Sequence, residues 1–234
     1  MCMKNEEFFD KGTWVPKGKP RNWFIYVIGY FIRPVFKICF RYRVKGAEKL
    51  RALGDEPVVF VQNHISYADP CITYVSLYSH AGGTRVLARS SLYRPVVAAL
   101  LARAGAIPID PDSADRTAVK RAAACLKRGE NLLIYPEGTR MNRPDKEYHP
   151  HAGAVLIANM GKARIVPIGI KGPEKIMPYG KPKFIRFPRI YLNVGDPIDP
   201  KDKRFEQYPK KERSNAIINE VMDTVFALRD DADK

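Results

Sequence analysis

A histidine and an aspartate five residues apart, His64 and Asp69, are the pair in this sequence best suited to acid–base chemistry. A carboxylate that accepts the Nδ1–H of a histidine fixes its tautomer and raises its basicity, which leaves Nε2 free to remove a proton from a hydroxyl. On a straight helix this spacing would separate the two side chains by about 140°. The pair can meet only if the chain turns between them, as at a strand-to-helix junction, and Pro70 suits the first turn of such a helix. Taken alone, the spacing fits a structural histidine equally well.

A second polar sequence, YPEGTR at residues 135–140, has the composition of an anion-binding loop. Proline followed by Glu-Gly-Thr favours a tight turn whose backbone N–H groups, around Gly138 and Thr139, point outward. Arg140 adds a planar guanidinium that can hold a phosphate through two parallel hydrogen bonds. Glu137 has the wrong charge to touch such an anion, so we expect it to orient Arg140 or a neighbouring hydroxyl. An ordinary polar turn with an exposed arginine is the alternative interpretation.

Both polar sequences directly follow apolar runs that are typical of buried strands. Residues 56–62 end at Asn63 and His64, and residues 131–135 end at Pro136. The same alternation predicts further strands at 84–88, 106–109, 164–170 and 189–194 and helices at 70–78, 95–104, 113–128 (with Ser113 as its N-cap), 153–160 and 211–228. This order predicts a single layered α/β domain with a largely parallel mixed sheet flanked by helices. Because ligands of such sheets bind beyond the carboxyl ends of the strands, both polar sequences should lie at one edge.

Residues 23–40, WFIYVIGYFIRPVFKICF, form the long apolar stretch of the sequence. Its length approaches the roughly 20 residues of a membrane-spanning helix, but Arg33 and Lys37 would each cost about 2.5–3.5 kcal/mol at a bilayer centre. Pro34 should also break the helix at about Arg33. Polar residues recur on one helical face, so we expect a bent, amphipathic pair of helices that lies in one leaflet as a monotopic anchor. The expected anchor residues are Trp23, Phe24, Phe31, Arg33, Phe36, Lys37 and Phe40. A helix packed on the protein's own core is the alternative.

The composition limits the possible partners. The chain has 234 residues, 45% of them apolar, and a formal net charge of +15, which implies an anionic membrane surface, a phosphorylated substrate or nucleic acid. Nucleic acid is disfavoured because no binding module is recognisable and the aromatic residues concentrate in the apolar stretch. No HExxH or CxxC pattern suggests a metal, and the four scattered cysteines argue for a reducing compartment. We expect a basic N-terminal region with the anchor at residues 1–45 and a catalytic domain at residues 46–234.

Together these motifs resemble those of the phospholipid acyltransferase superfamily, typified by the 1-acyl-glycerol-3-phosphate acyltransferases. The family's His-x4-Asp block corresponds to His64 and Asp69, with Asn63 before them. Its Phe-Pro-Glu-Gly-Thr-Arg block corresponds to residues 135–140, with tyrosine in place of phenylalanine, and an apolar-Pro-apolar block resembles the sequence around Pro167. The resemblance covers residues 46–197.

Two positions depart from the family pattern. The block Gly-x-Ile-x-Ile-Asp-Arg is matched up to Asp110, but Pro111 follows where the phosphate-contacting arginine is expected, and Arg116 is the nearest replacement. A lysine that often stands two residues before a glycine is replaced by His151, two residues before Gly153. Recognition of the acceptor headgroup is therefore where this chain differs most from the family.

The resemblance implies a membrane-associated O-acyltransferase, on the cytoplasmic face, that transfers a fatty acyl group from acyl-CoA or acyl-carrier protein to the free hydroxyl of lysophosphatidate. It implies no metal or other cofactor. His64 would be the general base and Asp69 its orienting partner. The phosphate would be held by Arg140, by the loop at Gly138 and Thr139 and by Arg116, with Glu137 as the orienting member of the same loop. Glycerol 3-phosphate and other lysophospholipids are alternative acceptors. A non-catalytic protein that binds anionic membranes is the alternative of another class, and it leaves both polar motifs unexplained.

Overall fold

The computed structural model describes residues 23–81, 84–93, 95–110, 113, 115–140, 149–176 and 187–233. The strands are β1 (Arg43–Lys45), β2 (Val58–Gln62), β3 (Thr84–Arg89), β4 (Ile107–Ile109), β5 (Asn131–Ile134), β6 (Arg164–Lys171) and β7 (Tyr191–Val194). The α-helices are α1 (Trp23–Phe40), α2 (Ala47–Ala52), α3 (Asp69–Ala81), α4 (Pro95–Ala104), α5 (Arg116–Lys127), α6 (Gly153–Gly161) and α7 (Lys210–Asp230). Short 3₁₀ turns lie at Ser90–Leu92, Pro173–Lys175 and Lys203–Phe205.

The strands of the described residues form one sheet in the order β1-β7-β6-β2-β5-β3-β4. β6 and β7 pair antiparallel, and the other neighbouring strands pair in parallel. β2 lies between β6 and β5, with Gln62 opposite Ile168 and Val61 opposite Ile134. The carboxyl ends of these central strands therefore meet at one edge, which confirms the predicted α/β domain with a mostly parallel sheet.

Alternate residues of β2 belong to two separate cores on opposite faces of the sheet. Val59 and Val61 pack with α5, α6 and α7, whereas Val58 and Phe60 pack with α2, α3 and the end of α1. A strand covered on both faces reads as a continuous apolar run, which is why residues 56–62 signal a buried strand so clearly. Full burial of an aliphatic or aromatic side chain contributes about 1.5–3 kcal/mol, so the two cores hold β2 firmly beneath the residues that follow it.

Helix α1 differs from the predicted bent pair, because it continues through Pro34 from Trp23 to Phe40. A proline inside a helix removes one backbone hydrogen bond, and the helix can continue past it with a kink. None of the helices in the described part of the chain is long and apolar enough to cross a membrane. Residues 1–22 of the expected N-terminal region lie outside the described residues.

The last turn of α1 packs on the protein itself. Phe40 is 5% exposed and belongs to the core that α2 and α3 cover, and Phe36 lies half-buried against it with ring centroids 5.0 Å apart. The expectation that Phe40 contacts the membrane is therefore wrong, and the own-core alternative holds for this end of the helix. Phe31, Arg33 and Lys37 are exposed. The side chains of Trp23 and Phe24 lie outside the described residues.

Two other boundaries differ from the sequence prediction. The sheet begins at Arg43, three residues before the expected start of the catalytic domain, because β1 pairs with β7. Helix α5 begins at Arg116 rather than near Ser113, because the Asp115 side chain caps it by accepting the Ala118 N–H at 2.9 Å. An aspartate at the N-cap satisfies a backbone donor as well as a serine does.

Candidate active site

The chain turns between β2 and α3 around a single carboxylate oxygen of Asp69. This oxygen, Oδ2, lies 2.9 Å from Nδ1 of His64 and accepts the backbone N–H groups of Ile65 and Ser66 at 2.7 and 2.8 Å. Asp69 is the first residue of α3 and is fully buried. The predicted His–Asp pair is thus brought together by the strand-to-helix turn that its spacing requires.

Hydrogen-bond donors around Asp69 counteract part of the effect of its burial. Burial raises the pKa of the Asp69 carboxyl, against the opposing effects of the hydrogen bond from His64, the charge of His64 and the two backbone donors. The hydrogen bonds from His64, Ile65 and Ser66 therefore offset part of the cost of burying a carboxylate at Asp69.

Tyr135 covers the imidazole of His64. The two rings stack with centroids 4.4 Å apart and an interplanar angle of 29°. The side chain of His64 keeps 16% of its surface exposed, so the ring is held on one side yet remains reachable. Burial raises the pKa of the Tyr135 hydroxyl well above its ordinary value, which keeps it neutral. Sequence reasoning registered Tyr135 only as a replacement of phenylalanine and missed this contact.

Glu137 connects the YPEGTR loop to the catalytic turn, the segment 63–69 between β2 and α3 that holds the candidate pair His64 and Asp69. Its Oε2 accepts the backbone N–H of His64 at 2.8 Å, and the side chain is buried. The expectation that Glu137 orients Arg140 or a hydroxyl is corrected by this contact, because a carboxyl at this position faces a buried backbone donor. Burial, and secondarily the charge of Asp69, raise the pKa of Glu137 well above its ordinary value, while the His64 N–H opposes the shift.

The YPEGTR loop makes the predicted tight turn. Gly138 has a φ of 63° and its N–H donates to the Tyr135 carbonyl at 3.1 Å. A positive φ is accessible to glycine without strain, which explains its place in the motif. The Arg140 guanidinium lies 3.8 Å from the ring centroid of Tyr67, an exposed residue of the catalytic turn. A cation–π contact therefore holds Arg140 against Tyr67, three residues after His64 in the chain, and Thr139, the residue before Arg140, is half-buried.

A second arginine, Arg89, approaches the same loop. It is the last residue of β3, which neighbours β5, and its Nη2 lies 3.5 Å from the Gly138 carbonyl. Sequence reasoning missed Arg89 in favour of Arg116, although a cation at the end of a predicted strand was a usable signal. Arg116 begins α5 after β4, three strand positions from β2. Of the two, Arg89 lies nearer the loop.

Two supporting residues hold the strand ends beneath the site. The side-chain amide of Asn63 donates to the carbonyl of Ile170 at 2.9 Å and accepts its N–H at 2.8 Å, which fastens the end of β2 to β6. Pro167 lies opposite Val61 in the sheet, and its carbonyl accepts the Gly195 N–H at 2.9 Å. In the described part of the chain, no three His, Cys, Asp or Glu residues cluster in a way that could hold a metal ion.

The chain is similar to several known proteins. A family model described as Acyltransferase matches residues 41–171, more than half of the chain. The 1-acyl-sn-glycerol-3-phosphate acyltransferase of Bacillus subtilis is 27% identical over 192 residues, which cover 82% of this chain and 90% of that protein. The chloroplastic 1-acyl-sn-glycerol-3-phosphate acyltransferase LPAT1 of Arabidopsis thaliana is 28% identical over 171 residues, 71% of this chain and 45% of the longer plant protein.

A solved structure shows the same fold. The 1-acyl-sn-glycerophosphate acyltransferase PlsC from Thermotoga maritima matches with a TM-score of 0.61 and 24% identity, over 86% of this chain and 77% of that one. The family match spans the catalytic turn, the YPEGTR loop and β6, and so contains both polar motifs. The chain therefore belongs to the acyltransferase family and is an O-acyltransferase.

Proposed function

We propose that this protein transfers a fatty acyl group from an acyl thioester to the free hydroxyl of lysophosphatidate and so produces phosphatidate. One observation carries the proposal: the imidazole of His64 is held by Asp69 directly beside a loop flanked by two guanidinium groups, those of Arg140 and Arg89. A base beside a loop that two guanidinium groups contact suits an acceptor that has both a hydroxyl and a phosphate. The named relatives, 1-acyl-sn-glycerol-3-phosphate acyltransferases, agree with this acceptor.

The geometry of His64 supports direct attack by the acceptor. Because Nδ1 faces Asp69, Nε2 is the nitrogen available to substrate. Nε2 takes the proton of the acceptor hydroxyl while its oxygen attacks the thioester carbonyl carbon. The carbon–sulfur bond then breaks, and the departing thiolate takes the proton back from Nε2. The sequence has no Gly-x-Ser-x-Gly turn, so no covalent acyl-enzyme is invoked.

The positive groups position the acceptor. Charge-assisted, bidentate hydrogen bonds from arginine to phosphate are among the strongest in proteins. They fix the position of the reacting hydroxyl relative to His64, so that a bimolecular reaction becomes effectively unimolecular. In this proposal Arg140 and Arg89 hold the phosphate, with Arg116 farther along the same edge.

The acceptor would be drawn from a membrane. Phe31 and Ile38 on α1 are 66% and 75% exposed, and Arg33 and Lys37 on the same helix are exposed as well. Apolar and basic side chains on one surface helix suit a protein that lies on an anionic bilayer. We place this contact on the cytoplasmic face, with acyl-CoA or acyl-carrier protein as donor.

A matched pair of proteins tests the proposal. Wild-type protein and His64→Ala are incubated with an acyl thioester and vesicles that contain lysophosphatidate, and the formation of phosphatidate is measured. We expect wild-type turnover and a loss of roughly a thousandfold in the variant, in line with removal of a catalytic base. Undiminished turnover in His64→Ala would contradict the role of His64. Glycerol 3-phosphate, lysophospholipids with larger headgroups and monoacylglycerol are offered in parallel, and a preference for any of them over lysophosphatidate would contradict the proposed acceptor.

A further inference from the structure

The exposed side of α5 carries several positive charges, and the helix itself contains no carboxylate. The helix sequence RTAVKRAAACLK has four cations and no acid. Arg116, Lys120 and Lys127 are exposed, and their spacing places them on one side of the helix over about 16 Å. Like charges on one helix face destabilise an isolated helix. This cationic stripe, defined by these three residues, therefore does not serve the stability of α5.

Helix α6 places two exposed apolar side chains beside the stripe. Leu156 is 50% exposed and Met160, four residues later, is 37% exposed. The two helices pack closely, because a Cβ at Gly161 would lie only 2.5 Å from Cδ1 of Leu126. Both helices follow strands of the parallel part of the sheet, so they lie side by side on the same face of it. A surface with exposed apolar side chains and a charged rim has the general composition of a protein–protein interface.

The bilayer is a poor partner for this surface. Helices α5 and α6 cover one face of the sheet, whereas the end of α1 packs into the core on the opposite face. A flat membrane in contact with the exposed side of α1 would face away from α5. The surface formed by the stripe and the apolar pair is thus left for a soluble partner with negative charge.

We propose that α5 and α6 form the docking surface for the acyl donor, a small acidic protein that carries the fatty acyl group as a thioester on a flexible arm. This inference rests on the proposed acyl transfer. Opposite charges steer such a partner and accelerate its association.

The position of the surface suits delivery to the active site. Helix α5 begins soon after the carboxyl end of β4, at the sheet edge that holds His64. β4 and β2 are separated by β3 and β5, so their ends are about 14 Å apart at the usual spacing of neighbouring strands. A carrier docked on the stripe needs to extend its arm only across the ends of two strands.

A double charge reversal tests this surface. Lys120→Glu/Lys127→Glu is compared with wild type and with a control on α7, Lys210→Glu/Lys211→Glu, which reverses two exposed charges on another helix. For each protein, the KM is measured with palmitoyl-loaded acyl-carrier protein and with palmitoyl-CoA as donors. Binding of the loaded carrier is measured separately by fluorescence anisotropy, so that docking is scored without turnover.

We expect the α5 variant to raise the KM for the carrier-bound donor at least about tenfold and to weaken carrier binding equally, since close interfacial charge pairs are worth on the order of 1.5 kcal/mol or more. The KM for palmitoyl-CoA and all values of the control should stay within about twofold, since solvent-exposed charges contribute little elsewhere. Unchanged carrier binding in the α5 variant, or an equal loss in the control, would overturn the docking surface. A different outcome separates the two proposals: the α5 variant loses carrier binding, but the wild type transfers no acyl group from either donor. That result would support the docking surface and contradict the proposed function.

Discussion

The backbone N–H of His64 donates to Oε2 of Glu137 at 2.8 Å, although the two residues are 73 positions apart in the chain. His64 follows β2, and Glu137 lies in the loop after the neighbouring strand β5. The proposed base and the proposed phosphate-binding loop are therefore joined by a direct, partly buried hydrogen bond. A shift of the loop that alters the position of Glu137 also alters the position of the imidazole. The first prediction follows from this link.

Replacement of Glu137 by glutamine should change the pH dependence of stability. The pKa of Glu137 is raised in the folded state, so the folded protein keeps a proton that the unfolded chain has already released. The free energy of unfolding of the wild type therefore falls as the pH rises above the ordinary carboxyl range, and Glu137→Gln lacks this loss. Glutamine retains an oxygen that can accept the His64 N–H. We expect the variant to gain stability relative to wild type as the pH rises from about 4, the ordinary carboxyl range, towards neutrality in denaturant titrations. A difference that stays constant across this range would contradict the buried, proton-linked position of Glu137.

Asp69→Asn should remove catalysis without unfolding the turn. The amide oxygen can still accept the N–H groups of Ile65 and Ser66, but an amide cannot hold the imidazole of His64 in the required tautomer or stabilise its charged form. We expect kcat to fall by about three to four orders of magnitude, with the acceptor KM nearly unchanged. His64→Ala/Asp69→Asn serves as the control, and it should be no slower than His64→Ala alone, because the two residues act as a unit. Additive losses would show that Asp69 acts elsewhere.

Much of the fold could be predicted because its signals are local. The run before His64 is apolar at the residues that the two cores cover, and the ends of the predicted helices lie within about three residues of those in the structure. β1 was missed, because three residues with alternating exposure in a basic segment give no apolar run. Its place in the sheet depends on pairing with β7, almost 150 residues later in the chain.

The site was predictable to the level of motifs and no further. His64, Asp69 and the YPEGTR loop lie in short, recognisable sequences, and the strand ends bring them to one edge. The partner of Glu137 depends on the spatial adjacency of β2 and β5, which no local pattern encodes. Arg89 was missed for the same reason, since only the sheet order places β3 beside β5 and so beside Gly138.

The ring of Tyr135, rather than its hydroxyl, should matter for activity. The hydroxyl is shielded from solvent and has no hydrogen-bond partner among the described residues, whereas the ring stacks on His64. Tyr135→Phe should keep kcat within about twofold and raise the free energy of unfolding by up to about 1 kcal/mol, because an unpaired buried polar group is removed. Tyr135→Leu should lower kcat about tenfold or more, since it frees the imidazole to rotate. Equal activity of the leucine and phenylalanine variants would show that the stacking does not position His64.

Arg89 and Arg140 should discriminate in favour of a phosphorylated acceptor. Arg89→Ala and Arg140→Ala are each expected to raise the KM for lysophosphatidate about tenfold or more, because each removes a charge-assisted bond of about 1.5–3 kcal/mol. Any slow acylation of monoacylglycerol, which lacks the phosphate, should change little. Arg116→Ala is the matched control. Arg116 lies at the start of α5, after the edge strand β4, so the KM of this variant for lysophosphatidate should stay near that of the wild type. A larger increase in the lysophosphatidate KM for Arg116→Ala than for Arg89→Ala would support the phosphate-binding role that was predicted for Arg116 from the sequence.

Membrane binding should depend on the exposed side of α1 and not on the apolar pair of α6. Phe31→Ser/Ile38→Ser removes two exposed apolar side chains, each worth roughly 1.5 kcal/mol or more when buried, so partitioning onto vesicles should weaken about a hundredfold. Arg33→Gln/Lys37→Gln should weaken binding only when the vesicles contain anionic lipid, by about 1 kcal/mol for each charge removed. Leu156→Ser/Met160→Ser is the control, because these residues lie on the other face of the sheet, and it should sediment with vesicles like the wild type. If the α6 variant loses vesicle binding and the α1 variant does not, the bilayer contacts the surface that we assign to the acyl carrier, and both assignments fail together.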